Sequence, residues 1–145
     1  MEKEFVPYEQ SLALKELGFN DPCFGWFRST LIPSNFTDFF LETEFGMNES
    51  PSDWVNSNFL NKACSAPLYQ QSFRWFLKEY KLFKETTLWG DGIGYMSQIK
   101  EIKQEEFLEV YNLGLVAPNR GLPNWDEDKE DLECLKKLIE IVKNK

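Results

Sequence analysis

Apolar residues return every three or four positions in three stretches of this chain, and each return predicts a helix. The first is residues 7–19, PYEQSLALKELGF. Ala13, Leu14 and Leu17 cluster on one side, Pro7 suits the first turn, and Gly18 supplies the left-handed position after the last turn, with Phe19 folding back beneath it. The second is residues 63–83, ACSAPLYQQSFRWFLKEYKLF. Ser65-Ala66-Pro67 reads as its entry, Tyr69, Phe73, Phe76 and Tyr80 form the stripe, Trp75 falls off it, and Arg74 and Lys78 take the far side. The third closes the chain over 126–145. Acids from Asp126 to Asp131 open it, Lys143 and Lys145 end it, and Leu132, Leu135, Leu138, Ile139 and Val142 make the buried stripe, widened by Cys134 and Ile141.

Between the helices the period changes. Leu88-Trp89-Gly90-Asp91-Gly92-Ile93 places turn residues between strand formers, which predicts a hairpin, and Ile93, Tyr95, Ser97 and Ile99 alternate beyond it. Phe107–Tyr111 reads as a third strand, with a helix over Gln104–Asn112 as the alternative, and residues 114–125, with two prolines and two glycines, read as loop. Residues 20–62 follow no single period. Asn20-Asp21-Pro22 is a turn, Cys23–Phe27 a compact apolar run, and Pro33 and Pro51 favour loops and short elements. From Asp38 to Trp54 the acids Asp38, Glu42, Glu44, Glu49 and Asp53 occur with no basic residue, and Phe36, Phe39, Phe40 and Phe45 interleave, which reads as an irregular lid packed by its own phenylalanines. The pattern predicts one α+β domain over residues 1–145: a short antiparallel meander against about three helices, with a long irregular aromatic-rich segment.

Composition narrows the function. At 145 residues and 42% hydrophobic, the chain has the apolar content to build a core without metal or disulfide support. No run approaches the ~18 apolar residues of a membrane span, and MEKEFVPYEQ carries no secretory apolar segment. Cys23, Cys64 and Cys134 are odd in number and unpaired in spacing, as expected of reduced thiols in a cytoplasm. The net charge of −8 and the wide separation of Arg28, Arg74 and Arg120 disfavour nucleic-acid binding.

The chemistry is defined by what is missing. The chain has no histidine, which removes the commonest general base and the commonest zinc ligand, so neither metal nor cofactor is expected. Gly90–Gly94 lacks the Lys-Ser/Thr of a phosphate loop and reads as a hairpin turn. Paired carboxylates leave a hydrolase open, and Cys64, just before the predicted second helix, is the one candidate nucleophile.

Five tryptophans exceed what a simple core requires, and Trp is over-used at binding surfaces. Two candidate sites result. Trp26, Arg28, Tyr69, Arg74, Trp75 and Trp89 could stack on and neutralise a small anionic ligand such as a nucleotide. Asp38, Phe40, Glu42, Glu44 and Trp54 could dock on a basic partner protein.

Three blocks, FVPYEQSLALKELGFNDPCF at 5–24, SAPLYQQSFRWFLKEYKL at 65–82 and EDLECLKKLIEIVKNK at 130–145, resemble a family of small proteins of tailed bacteriophages and environmental viral sequences that has no assigned activity. Asp128-Lys129 departs from the Tyr-Glu usual at that point in the family, and residues 25–62 and 84–128 follow no family pattern. The resemblance implies a phage accessory protein in the cytoplasm of an infected bacterium, and supplies no catalytic residues. The expected function is non-enzymatic binding of a host component, either a defence or metabolic protein or a small anionic ligand. The alternatives are a virion or assembly protein and, third, a carboxylate-dependent hydrolase.

Overall fold

A computed structural model describes residues 2–29, 39–89, 94–103, 110–119 and 127–145. Helices and antiparallel sheets give the α+β fold that the hydrophobic pattern predicts. They gather into two compact units, Met1–Tyr69 and Gln70–Lys145.

In the first unit, helix α1 (Tyr8–Glu16) starts one residue after the predicted point, because Pro7, with ψ at 156°, is extended and serves as its N-cap. Its far end matches the sequence reading. Gly18 lies at φ +97°, its N–H bonds Lys15 O at 3.0 Å, and the Phe19 N–H bonds Leu14 O at 2.9 Å. Those two bonds and the buried Phe19 ring make a Schellman closure, which requires a residue tolerant of left-handed backbone at position 18.

Strands β1 (Trp26–Ser29), β2 (Phe39–Glu42) and β3 (Cys64–Ser65) form an antiparallel sheet in the order β2-β1-β3. Its inner face packs Phe27 and Cys64 with Phe5 and Ala66, and Tyr8, Leu12, Phe39 and Leu41 close around them. The predicted lid is therefore in part a strand, and Phe39 stacks on Tyr8 at 3.9 Å. Asn56 and Lys15 are among the side chains that hold the loop that follows. Asn56, buried, donates to Phe19 O at 2.7 Å and accepts from the Ser65 N–H at 2.9 Å. The Lys15 ammonium donates to the backbone oxygens of Phe59, Asn61 and Ala63 at 2.8, 3.2 and 2.7 Å, which uses all of its protons.

Helix α2 (Tyr69–Tyr80) begins later than Ser65-Ala66-Pro67 suggests. Cys64–Ser65 is spent on β3, Pro67 O accepts the Val6 N–H at 2.9 Å, and Leu68 bridges to Phe5. The helix ends in an αL closure: Lys81 sits at φ 58° and its N–H bonds Leu77 O at 3.1 Å. A side chain with a Cβ is disfavoured there, so Lys81→Gly is expected to raise stability by about 1 kcal/mol in urea unfolding.

The second unit contains the meander, strands β4 (Leu82–Trp89), β5 (Gly94–Ile102) and β6 (Val110–Asn119), antiparallel in that order. The hairpin expected around residues 88–93 agrees with the pairing of Trp89 with Gly94, and its tip lies outside the described residues. The third strand is displaced from its predicted place. It shares only Val110 and Tyr111 with the 107–111 run, and it continues to Asn119 through residues 114–119, which read as loop. Pro118 and Gly114 are tolerated because the β5–β6 register slips twice. Tyr95 to Ser97 faces Asn119 to Val116, and Ile99 to Lys100 faces Gly114 to Asn112, so β6 carries one extra residue at each slip. Bulges on an edge strand are where proline and glycine fit. Residues 104–109 of the alternative helix lie outside the described residues, while 110–112 are strand.

Helix α3 (Glu127–Lys143) packs on β5 and β6 and buries Cys134, Leu135, Leu138, Ile139 and Val142, as the stripe predicts.

Candidate functional site

Burial alternates strictly along the approach to β1: Cys23, Gly25 and Phe27 are buried, while Phe24 and Arg28 are exposed and Trp26 is half-buried. This is the two-residue period of a strand with one dry and one wet side. Gly25 fits closely on the dry side, where an added Cβ would meet Phe5 Cε1 at 3.0 Å and Leu41 Cδ1 at 3.1 Å and push those side chains back. The register carries the same division into β2. Trp26 pairs with Glu42 and Arg28 with Phe40, whereas Phe27 pairs with Leu41. Residues paired across antiparallel strands share a face. The outer face therefore collects Trp26, Arg28, Phe40 and Glu42, and Phe24 continues its alternation.

The geometry of this face is fixed from below and from the sides. Trp26 lies flat on Phe59, with ring centroids 4.9 Å apart and planes 5° apart. Arg28 Nε is 3.7 Å from a Glu42 oxygen, both side chains partly exposed, a pair that contributes little to stability and leaves the guanidinium accessible. Phe40 is 48% exposed, a large apolar surface. Beyond β2, Phe45 stacks on Trp54 at 4.1 Å, and Met47 and Leu60 are among the most exposed apolar side chains described.

The acids around this face have structural duties as well as charge. Glu42 accepts the Glu44 N–H at 3.3 Å, Glu49 accepts the Gly46 N–H at 2.8 Å, and Asp53 accepts the Ser50 N–H at 2.8 Å. Each carboxylate closes a short turn, and each keeps its negative charge at the surface.

The candidate residues of the sequence thus regroup. Trp26 and Arg28, assigned to a small ligand, stand beside Phe40 and Glu42, assigned to a partner, with exposed Glu44 just beyond. Trp54 is buried at 3% exposure and serves as the platform under Phe45, so it is not itself a contact residue. Asp38 lies outside the described residues. Tyr69 and Trp75 are buried at 8% and 5%, which corrects the reading of Trp75 as an exposed stacking surface. Its ring sits edge-on to Phe76 and Tyr80 at 5.1 and 5.3 Å. The buried arc of α2 is turned from the aromatic stripe: Tyr69, Ser72, Trp75 and Phe76 are buried, whereas Phe73 and Tyr80 are half-buried. Arg74 is exposed; Trp89 ends β4, and its side chain lies outside the described residues. Phe24 and Phe59 are the site residues that the sequence reading missed. The signal for Phe24 was present in the alternation of 23–28, hidden by reading it as a uniform apolar run.

All three thiols are buried. Cys64 lies in β3, five residues before α2 begins, and burial pushes its pKa up to about 12 against a smaller lowering by Lys15. Burial likewise pushes Cys23 to about 12 and Cys134 to about 11. A thiol at such values is protonated at neutral pH.

The second unit holds one nearly dry charge cluster. Lys84 on β4 contacts Asp131, lies 3.9 Å from Glu130, and sits 5.7 Å from the centre of the Phe73 ring. The acids come from the early turns of α3, where negative charge suits the helix dipole. The cation thereby fastens strand to helix. Lys84→Met is expected to cost about 2 kcal/mol in urea unfolding, since it removes the cation beside buried Glu130 and part-buried Asp131; an unchanged midpoint would contradict that role. No group of three or more potential metal ligands occurs among the described residues, and no helix described is long and apolar enough to cross a membrane.

Compared with known protein families, with curated proteins and with solved structures, the chain matches none.

Proposed function

We propose that this chain is a non-enzymatic accessory protein that binds a host protein through the outer face of its first sheet. The observation that carries the reading is the exposure of Phe24, Arg28 and Phe40 on one sheet face, beside half-buried Trp26. Aromatic side chains and arginine are the types that dominate binding energy at interfaces, and here two of them are pre-ordered by strand pairing and by the Phe59 stack. The surrounding acids favour a basic partner and speed its encounter. The resemblance of the three blocks to phage proteins favours a partner in an infected bacterium, a defence or metabolic protein.

The nucleotide version of the site loses its main support with the burial of Trp75. Capture from bacterial lysate at low salt, read by native mass spectrometry, tests the proposal. The expected result is a stoichiometric host protein on the wild type, with affinity reduced at least about tenfold by Phe24→Ala, which removes an exposed ring without changing charge, at unchanged thermal stability. A bound small molecule in place of a protein would contradict it, and copurification with phage particles alone would favour the virion role.

A further inference from the structure

We propose that the partner contributes an extended segment, alternating basic and apolar side chains, which adds as a fourth strand along the outer edge of β2. The inference rests on the partner-binding reading above and specifies its mode. In the order β2-β1-β3, β2 is terminal among the described residues, and no described backbone other than β1 pairs with it. One side of its N–H and C=O groups is therefore turned away from the ladder, where another chain can use them.

Natural edge strands usually carry a lysine, a proline or a bulge that repels a further strand. Phe39-Phe40-Leu41-Glu42 has none of these, and its register with β1 runs without a shift. What it has is charge of one sign. No lysine or arginine occurs between Arg28 and Lys62, while Glu42, Glu44, Glu49 and Asp53 lie at or after the strand. That charge discourages pairing with acidic or neutral strands and selects a basic one.

The two faces of the strand set the pattern of the added segment. Phe40 and Glu42 stand on the outer face beside Arg28 and Trp26, so an added strand that turns its basic side chains to that face lays an aliphatic stem along Phe40 and a cation next to Glu42. On the inner side, Phe39 and Leu41 continue the core, so an apolar residue there extends the dry layer. Main-chain bonds supply the affinity and these neighbours supply the selectivity, as in other strand-addition complexes.

The test uses the full chain and the peptide acetyl-Lys-Val-Lys-Val-Lys-Val-Lys-Val-amide as probe. The expected result is binding that slows amide hydrogen exchange within Phe39–Glu42. A peptide N-methylated at alternate residues, which loses donors along one edge and keeps its charge, should bind at least about tenfold more weakly in one of its two registers of methylation. Binding without protection of β2, or equal binding of both methylated peptides, would overturn strand addition while leaving a side-chain docking face intact. Absence of peptide binding would also overturn it, and the lysate capture would then decide separately whether a partner exists. Concentration-dependent protection of β2 in the protein alone would assign the edge to a second copy and overturn the proposal as well.

Discussion

Phe76→Ala is expected to remove about 3–5 kcal/mol of stability, the largest loss among single truncations in α2. Phe76 is fully buried, and its ring contacts Trp75 and Tyr80 at centroid distances of 5.1 and 6.0 Å. Deleting it removes the transfer free energy of a whole ring and leaves a cavity that its rigid aromatic neighbours cannot fill. Phe73 provides the internal control. It belongs to the same sequence stripe but is only half-buried, with Lys84 over its face. Phe73→Ala should cost about 1–2 kcal/mol, mostly through lost packing and the loosened cation. Equal losses in urea unfolding would mean that the helix presents the two rings alike, contrary to the burial described.

Alkaline pH should destabilise the fold steeply, and the buried thiols are the cause. Burial raises Cys23 and Cys64 to about 12 and Cys134 to about 11, from an ordinary thiol value of 9.0. A raised folded value means that the unfolded chain gives up its proton first. The stabilising contribution is therefore present in full below pH 9 and is lost as the pH climbs from there through the folded values. Within that window each thiol removes about 1.4 kcal/mol per pH unit. Thermal unfolding followed from pH 8 to pH 11 should show the midpoint holding and then falling, and Cys23→Ala should flatten the fall even though it lowers stability at pH 8. A midpoint that stays level to pH 11 would show that the thiols are not shielded.

Much of the scaffold was legible because its signals are local. The Gly18-Phe19 closure follows from one residue tolerant of left-handed backbone next to one that must be buried, and the α3 stripe follows from 3.6-residue periodicity. The failures share a different cause. Ser65 and Pro67 look like a helix entry, but β1 claims Cys64–Ser65 for pairing, a partner far away in sequence that no local pattern reveals. The same holds for β6, where bulges against β5 accommodate Gly114 and Pro118 that locally read as loop. Trp75 was misplaced because the aromatic stripe was taken to mark the buried arc, which is turned from it. The binding face was the least legible feature. Its members come from two strands, and only their register shows that Trp26, Arg28, Phe40 and Glu42 are neighbours. The acidity of residues 42–53 was visible at once, whereas the turn-closing use of those carboxylates was not, because it depends on distances to backbone N–H groups.

The measurement that bears most directly on the central claim is the affinity of the captured partner for wild type and Phe40→Asp, by calorimetry across a range of ionic strength. Phe40 is exposed and absent from the core, so its replacement should leave the unfolding midpoint unchanged. The account predicts that Kd rises at least about tenfold in the variant and rises with salt in the wild type. An unchanged Kd in Phe40→Asp, with no dependence on salt, would contradict it.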